Sequence, residues 1–276
     1  MKKGTLSNIL LTLVLIVGLS LLLYPSFADW WNSRTQSKAI ASYSEKVSVL
    51  DKDKYDALWD QAKQYNKDLV SRANDFLLSD EQKEEYNRLL NVDGNGMMGF
   101  VEIPSLDIHL GLYHGTEDKV LQVAVGHLDW TSLPAGGEST HCVLSGHRGL
   151  PSAKLFSELD QMQEGDLFML HVLDETLTYE VDQIHIVLPH ETDELLIQEG
   201  KDLCTLVTCT PYGVNSHRLL VRGHRVDNLV EKVELRVTAD AIQIEPLIVA
   251  PIVAIPLLLI LLLLLPVLDR EGRRKD

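Results

Sequence analysis

The sequence is short of positive charge. Its 276 residues carry 25 Lys plus Arg against 40 Asp plus Glu, a formal net charge of −15. A nucleic-acid-binding face needs the opposite sign to meet phosphates, so that class is excluded. Cysteine is scarce too: there are three, Cys142, Cys204 and Cys209. A count so small and odd builds no disulfide framework, and at least one thiol stays unpaired. The histidines show neither HExxH nor Cys–His zinc spacing, so no metal site is expected. No internal repeat or low-complexity stretch is visible.

Two long apolar runs are present. Leu6 to Leu23 follows Lys2 and Lys3, and approaches the roughly 20 residues that a bilayer core demands. It reads as an uncleaved anchor or a signal segment over 1–28, with Ser26-Phe27-Ala28 a passable cleavage site. The second run, Leu247 to Leu268, carries no charge and is punctuated by Pro251, Pro256 and Pro266. Membrane helices tolerate such prolines, so a C-terminal transmembrane helix is expected over 246–268, after a linker over 238–245. Arg270, Arg273, Arg274 and Lys275 follow it, in a basic tail over 269–276. Positive flanks stay in the cytoplasm, which puts both termini inside and the middle of the chain outside.

Between the runs the periodicity changes once. Over 29–93 it is helical: Trp59, Ala62, Tyr65, Leu69, Ala73 and Phe76 recur at steps of three and four. Ser79-Asp80-Glu81-Gln82 reads as a capping box opening a second helix, with Tyr86, Leu89 and Leu90 on its buried side. Asn91 to Gly96 breaks the pattern; a calcium loop starting at Asp93 lacks its glycine and its final glutamate, so it reads as a turn. From 94 to 237 the period is two. Strands are expected at 100–103, 108–113, 141–144, 167–173, 176–187, 203–208 and 219–226, with a hairpin at Asp174-Glu175. Many short strands with few helices suggest a closed β-barrel.

Three residues in this region suit chemistry. Cys209 ends an apolar strand and is followed by Pro211 and Gly213. A thiol there is presented at a strand terminus. Arg218 opens the next strand, where a guanidinium lowers a thiol's pKa or holds a developing oxyanion. A cysteine nucleophile also needs a general acid/base, and His147 follows another apolar strand before a Gly-Pro turn. Spacing alone leaves the bland readings open: a lone Cys is often an inert core residue, and a lone His a surface one. Cys142 and Cys204 lie within apolar strands and read as small core residues.

The segments that carry these residues resemble a known family. TLVTCTPYGVNSHRLLVR at Thr205 to Arg222 and LSGHRGLPSAKLF at Leu144 to Phe156 look like the sortases. GHLDWTSLPAGGESTHCVLSGHRG at Gly126 to Gly149 and HVLDETLTYEVDQI at His171 to Ile184 narrow the likeness to the class C, pilin-polymerising sortases of Gram-positive bacteria. The resemblance implies a mainly β fold: a sortase-type barrel of about eight strands with short helices, N-terminal helices before it and a transmembrane helix on either side. It implies a membrane-bound cysteine transpeptidase with Cys209 as nucleophile, His147 as general acid/base and Arg218 as oxyanion or signal holder. The expected partners are a pilin or other surface protein bearing a C-terminal LPXTG-like sorting signal, an amine acceptor on a pilin or the cell wall, and the bilayer. No organic cofactor is implied. Many class C sortases carry an Asp-Pro-aromatic lid; here the nearest match is Asp75-Phe76, without the proline.

Two rivals remain at this stage. One is a sortase that uses a peptidoglycan amine. The other is a non-catalytic anchored binding domain, against which the Cys209, His147 and Arg218 set speaks.

Overall fold

The computed structural model describes residues 3–71 and 77–228. The expected linker over 238–245, the C-terminal helix, the basic tail, and the residues Asp75 and Phe76 lie outside the described residues. Three helices come first: α1 (Lys3–Ser48), α2 (Lys52–Ser71) and α3 (Asp80–Arg88). Then follow β1 (Met97–Ile103), β2 (Ile108–His114), the short α4 (Asp118–Leu121), β3 (Val125–His127), β4 (Thr140–Ser145), β5 (Leu167–Val172), β6 (Glu175–Val187), β7 (Asp202–Thr210) and β8 (His217–Val226).

The strands close into a barrel in the order β1-β2-β3-β4-β7-β8-β6-β5. The β2–β3 and β4–β7 pairs are parallel, and the others antiparallel. All seven strands expected from the period of two are present. The eighth, β3, is three residues long and buried throughout, so it has no alternation to read. The hairpin between β5 and β6 turns at Leu173 and Asp174, one residue earlier than expected, with Leu173 in the left-handed region at φ 54°. Large side chains fill the interior, among them Ile103, Leu112, Leu144, Phe168, Leu206 and Tyr179. The Phe168 and Tyr179 rings stack at 5.5 Å.

Residues 29–228 belong to one compact unit, and 3–28 to another. In the second unit the helix is continuous through Pro25, and Leu11, Leu13, Val14, Val17, Leu21 and Leu22 are exposed. An uncovered apolar helix of this length suits a membrane. Trp30 and Trp31 follow it, residue types that gather at membrane–water boundaries.

The helices of the larger unit are pinned to the barrel by buried polar groups rather than by apolar contact alone. The Tyr43 hydroxyl donates to the Met98 carbonyl at 2.7 Å and accepts from the Leu173 amide at 2.9 Å. Asn66 of α2 accepts from the Leu133 amide at 2.7 Å and donates to the same residue's carbonyl at 3.0 Å. Tyr86 of α3 reaches His127 Nδ1 at 2.9 Å. The expected stripe on α2 is the buried one, Trp59, Ala62, Tyr65 and Leu69. The capping box at Ser79 and Gln82 is formed in both directions. Asp93, in the turn before the barrel, pairs with Lys46 at 2.8 Å and accepts from the Asn95 amide.

Candidate active site

Strand register pairs two of the three expected residues, and the third follows the end of a neighbouring strand. β4 and β7 run parallel, and their last paired residues are Ser145 and Val207. Pairing continues past the end of β4: the Gly146 amide donates to the Val207 carbonyl at 3.0 Å, and Thr208 Oγ1 donates to the Gly146 carbonyl at 2.8 Å. His147 is the next residue after Gly146, and Cys209 the next after Thr208. β7 and β8 are antiparallel, and there Cys209 is the direct partner of Arg218. Directly opposed residues point to the same face with Cβ atoms about 5 Å apart.

That face is the outside of the barrel. Cys204 and Leu206 belong to the interior core. Side chains alternate along a strand, so Val207 and Cys209 face outward with Val143 and Leu220. Val143, Val207 and Leu220 form a second apolar cluster with Leu195, flanked by Leu128, Trp130 and Val187. These four side chains are themselves buried, so the cluster is a small second core on the outer side of the barrel wall. None of Cys209, His147 and Arg218 is fully buried, whereas Cys142 and Cys204 are. Of the three thiols only Cys209 is reachable from solvent. Cys142 and Cys204 are neighbours across β4 and β7, inside the barrel, and burial pushes the Cys204 thiol well up.

Each site residue is held by its backbone surroundings. The His147 carbonyl accepts from the Phe156 amide at 3.1 Å. Phe156 is fully buried and its ring lies against Gly146 so closely that a Cβ there would stand 2.6 Å from the ring. Only glycine fits. Arg218 Nη1 donates to the His217 carbonyl at 3.0 Å and the Asn215 carbonyl at 3.3 Å. These bonds turn the guanidinium back towards the β7–β8 loop.

Sequence reasoning missed His141. It is wholly buried on the outer face of β4, donates from Nδ1 to the Leu196 carbonyl at 2.9 Å, and accepts at Nε2 from Thr205 Oγ1 at 2.7 Å. The carbonyl can only accept, which fixes the proton on Nδ1. Burial lowers the His141 pKa to about 4, so the ring is neutral. It holds the β6–β7 connection against the barrel beside Leu195 of the outer apolar cluster. A histidine in an apolar strand carries no sequence signal of this role. Among the described residues, no group of three or more His, Cys, Asp and Glu side chains is disposed to hold a metal ion.

Known proteins match this chain. Residues 101–226 match the model of the sortase domain. A sortase D from Bacillus subtilis is 30% identical over 131 residues, which span 46% of this chain and 63% of that protein. Solved structures resemble it over more of their length. Sortase C1 from Streptococcus agalactiae is 50% identical, with a TM-score of 0.68, and the match covers 69% of this chain and 99% of that one. Sortase C from Streptococcus pneumoniae is 45% identical, with a TM-score of 0.62 and coverage of 69% and 97%. Sortase C from Clostridium perfringens, solved with the C-terminal cell wall sorting motif, is 43% identical, with a TM-score of 0.62 and coverage of 70% and 100%. The chain belongs to the sortase family and groups with its class C enzymes.

Proposed function

We propose that the protein is a membrane-bound cysteine transpeptidase that joins pilin subunits through their sorting signals. The observation that carries this reading is the pairing of the one reachable thiol, Cys209, with Arg218 across β7 and β8, with His147 following the end of β4, the parallel neighbour of β7. Cys209 attacks the carbonyl of the Thr–Gly bond in an LPXTG-like signal. The tetrahedral oxyanion forms beside the Arg218 guanidinium, a fixed positive charge placed where negative charge develops. His147 gives its proton to the leaving glycine amine, and the bond breaks to leave a thioacyl enzyme. A lysine amine of another pilin then attacks that thioester, and His147 takes up the proton as Cys209 leaves.

The pilin substrate is supported by the Streptococcus pneumoniae neighbour, which is described in terms of pilin substrate specificity. The exposed apolar helix before Asp29 supports membrane attachment, and the charged flanks at Lys2, Lys3, Arg270 and Arg273 support two spans with both termini inside. The test uses the full chain in detergent micelles with a sorting-signal peptide and two amines, a lysine-bearing pilin peptide and a peptidoglycan stem peptide. Mass spectrometry should find the truncated peptide on Cys209 and transfer to the lysine. Transfer to the stem peptide alone would replace pilin joining with cell-wall anchoring. Absence of any adduct on Cys209 would remove the transpeptidase reading.

A further inference from the structure

The bonds around the site form a repeating pattern. The residue before His147 is tied to the residue before Cys209, through Thr208 Oγ1 donating to the Gly146 carbonyl at 2.8 Å. The residue after His147 is tied to the residue after Cys209, through Arg148 Nη1 donating to Thr210 Oγ1 at 3.3 Å. We propose that Arg148 is a positioning residue that clamps the His147 segment to the Cys209 end of β7. This rests on the transpeptidase reading for its effect on turnover, though not for its effect on Cys209 itself.

Arg148 is built for such a role. Its side chain is only 9% exposed, and its Nη2 pairs with Asp160 Oδ2 at 2.5 Å. Asp160 lies in the short helical turn Leu159–Gln161, downstream of the His147 loop. The Tyr212 ring of the β7–β8 loop lies 6.0 Å from Cζ. One guanidinium thus joins the segment after β4, the end of β7, the β7–β8 loop and the turn at Asp160. The planar fork makes this reach possible, since its nitrogens point in fixed and different directions.

Stability does not account for the residue. Among the described residues its Nε is buried without a hydrogen-bond partner. Leaving a buried donor unbonded is unfavourable, and an ion pair whose carboxylate is half exposed, as Asp160 is, contributes little. What the arginine adds is a fixed geometry on the far side of His147, where no strand ladder continues. A small misplacement of a reacting group costs on the order of 10²-fold in rate.

The test compares Arg148→Met, Arg148→Lys and Thr210→Val with wild type, as full chains in detergent. Thr210→Val removes only the hydroxyl, so it reports on the clamp even if Arg148→Met does not fold. Arg148→Met and Thr210→Val should each lower kcat for a sorting peptide by about 10- to 100-fold, with KM and melting temperature little changed. Arg148→Lys should recover part of the loss, because lysine reaches one partner and not all. A second readout needs no turnover: the rate at which iodoacetamide alkylates Cys209 should change in Arg148→Met and Thr210→Val. If wild type cleaves no peptide, the transpeptidase reading fails, and the alkylation rates still decide the clamp. Unaltered alkylation and kcat in Thr210→Val would overturn it. So would a fall in melting temperature that accounts for all lost activity, since that marks a residue serving the fold alone.

Discussion

Cys209 and Arg218 face each other as direct partners across β7 and β8, with Thr210 and His217 closing the ladder beyond them. The guanidinium is held by two backbone carbonyls of its own loop, those of Asn215 and His217. It is thereby fixed before any substrate arrives. Both bonds come from Nη1, which leaves the other guanidinium nitrogens for a substrate; Arg218→Lys keeps the charge and loses those directed donors. Turnover of a sorting peptide should fall by about 10²–10³, the usual loss for one oxyanion donor. Steady-state kinetics checks it. A rate within about threefold of wild type, far inside that range, would assign Arg218 to the structure of the loop.

The three cysteines should separate cleanly. Cys209→Ala should abolish both cleavage and the mass adduct, because only the thiolate is nucleophilic, and should leave the melting temperature little changed, because the thiol is not part of the buried core. Cys142→Ala and Cys204→Ala should keep turnover. Each removes a wholly buried sulfur from the barrel interior, so stability should fall by about 1–2 kcal/mol, as for a small core deletion. Urea unfolding alongside a peptide assay checks both halves. Loss of turnover in a folded Cys204→Ala variant would show that the wrong thiol has been assigned.

The same strands show how far sequence reaches. Alternation is legible where one face of a strand is core and the other is not, as in β5, whose residues alternate between buried and half-buried. It is silent in β3, where Val125, Gly126 and His127 are all buried. Cys209 and Arg218 were legible as a pair because an antiparallel hairpin puts the end of one strand against the start of the next. His147 was not placed by spacing. Its nearness to Cys209 depends on the parallel pairing of β4 with β7, and the chain between them passes through β5 and β6 first. No local pattern encodes such a crossover; the family resemblance supplied it. The β6–β7 connection is likewise fixed by a side chain, His141, that periodicity marks only as an interior position of a strand.

His141 predicts an acid limb in stability. In the unfolded chain a histidine titrates near pH 6.5, and in the folded protein His141 does so at about 4. Between those values the unfolded state binds a proton that the native state refuses. Stability therefore falls as pH drops from 6.5 to about 4, and His141 adds no slope above 6.5. A difference of this size amounts to about 3 kcal/mol at the acid end. His141→Gln retains a donor for Leu196 and an acceptor for Thr205 but does not titrate. Its urea midpoint should decline less steeply than that of wild type across this range. His114, also lowered by burial, remains in both proteins and leaves a common residual slope. Equal slopes in the two proteins would mean that the His141 ring is solvated.

Gly146 offers a sharper test of how the site is packed. Its backbone bonds to Val207 and Thr208 set the height of His147 above the barrel, and its missing side chain is what lets Phe156 close in. A Cβ would meet the ring at 2.6 Å from Cδ2 and 2.8 Å from Cγ. Phe156 is fully buried, and its amide also holds the His147 carbonyl. The ring therefore cannot swing away without disturbing the residue that matters. Gly146→Ala should cost about 1–3 kcal/mol through overpacking. It should also lower kcat by about 10²-fold, because the shift is passed to His147. Phe156→Leu makes room on the ring side. Alone it should cost about 1–2 kcal/mol for the space it opens, with a smaller effect on turnover. Combined with Gly146→Ala it should restore both stability and rate above those of Gly146→Ala alone. The double-mutant cycle should give a coupling of about 1 kcal/mol or more, as residues in contact do. If the two losses simply add, the alanine has moved the backbone at Val207 and Thr208 instead, and the ring does not set the position of His147.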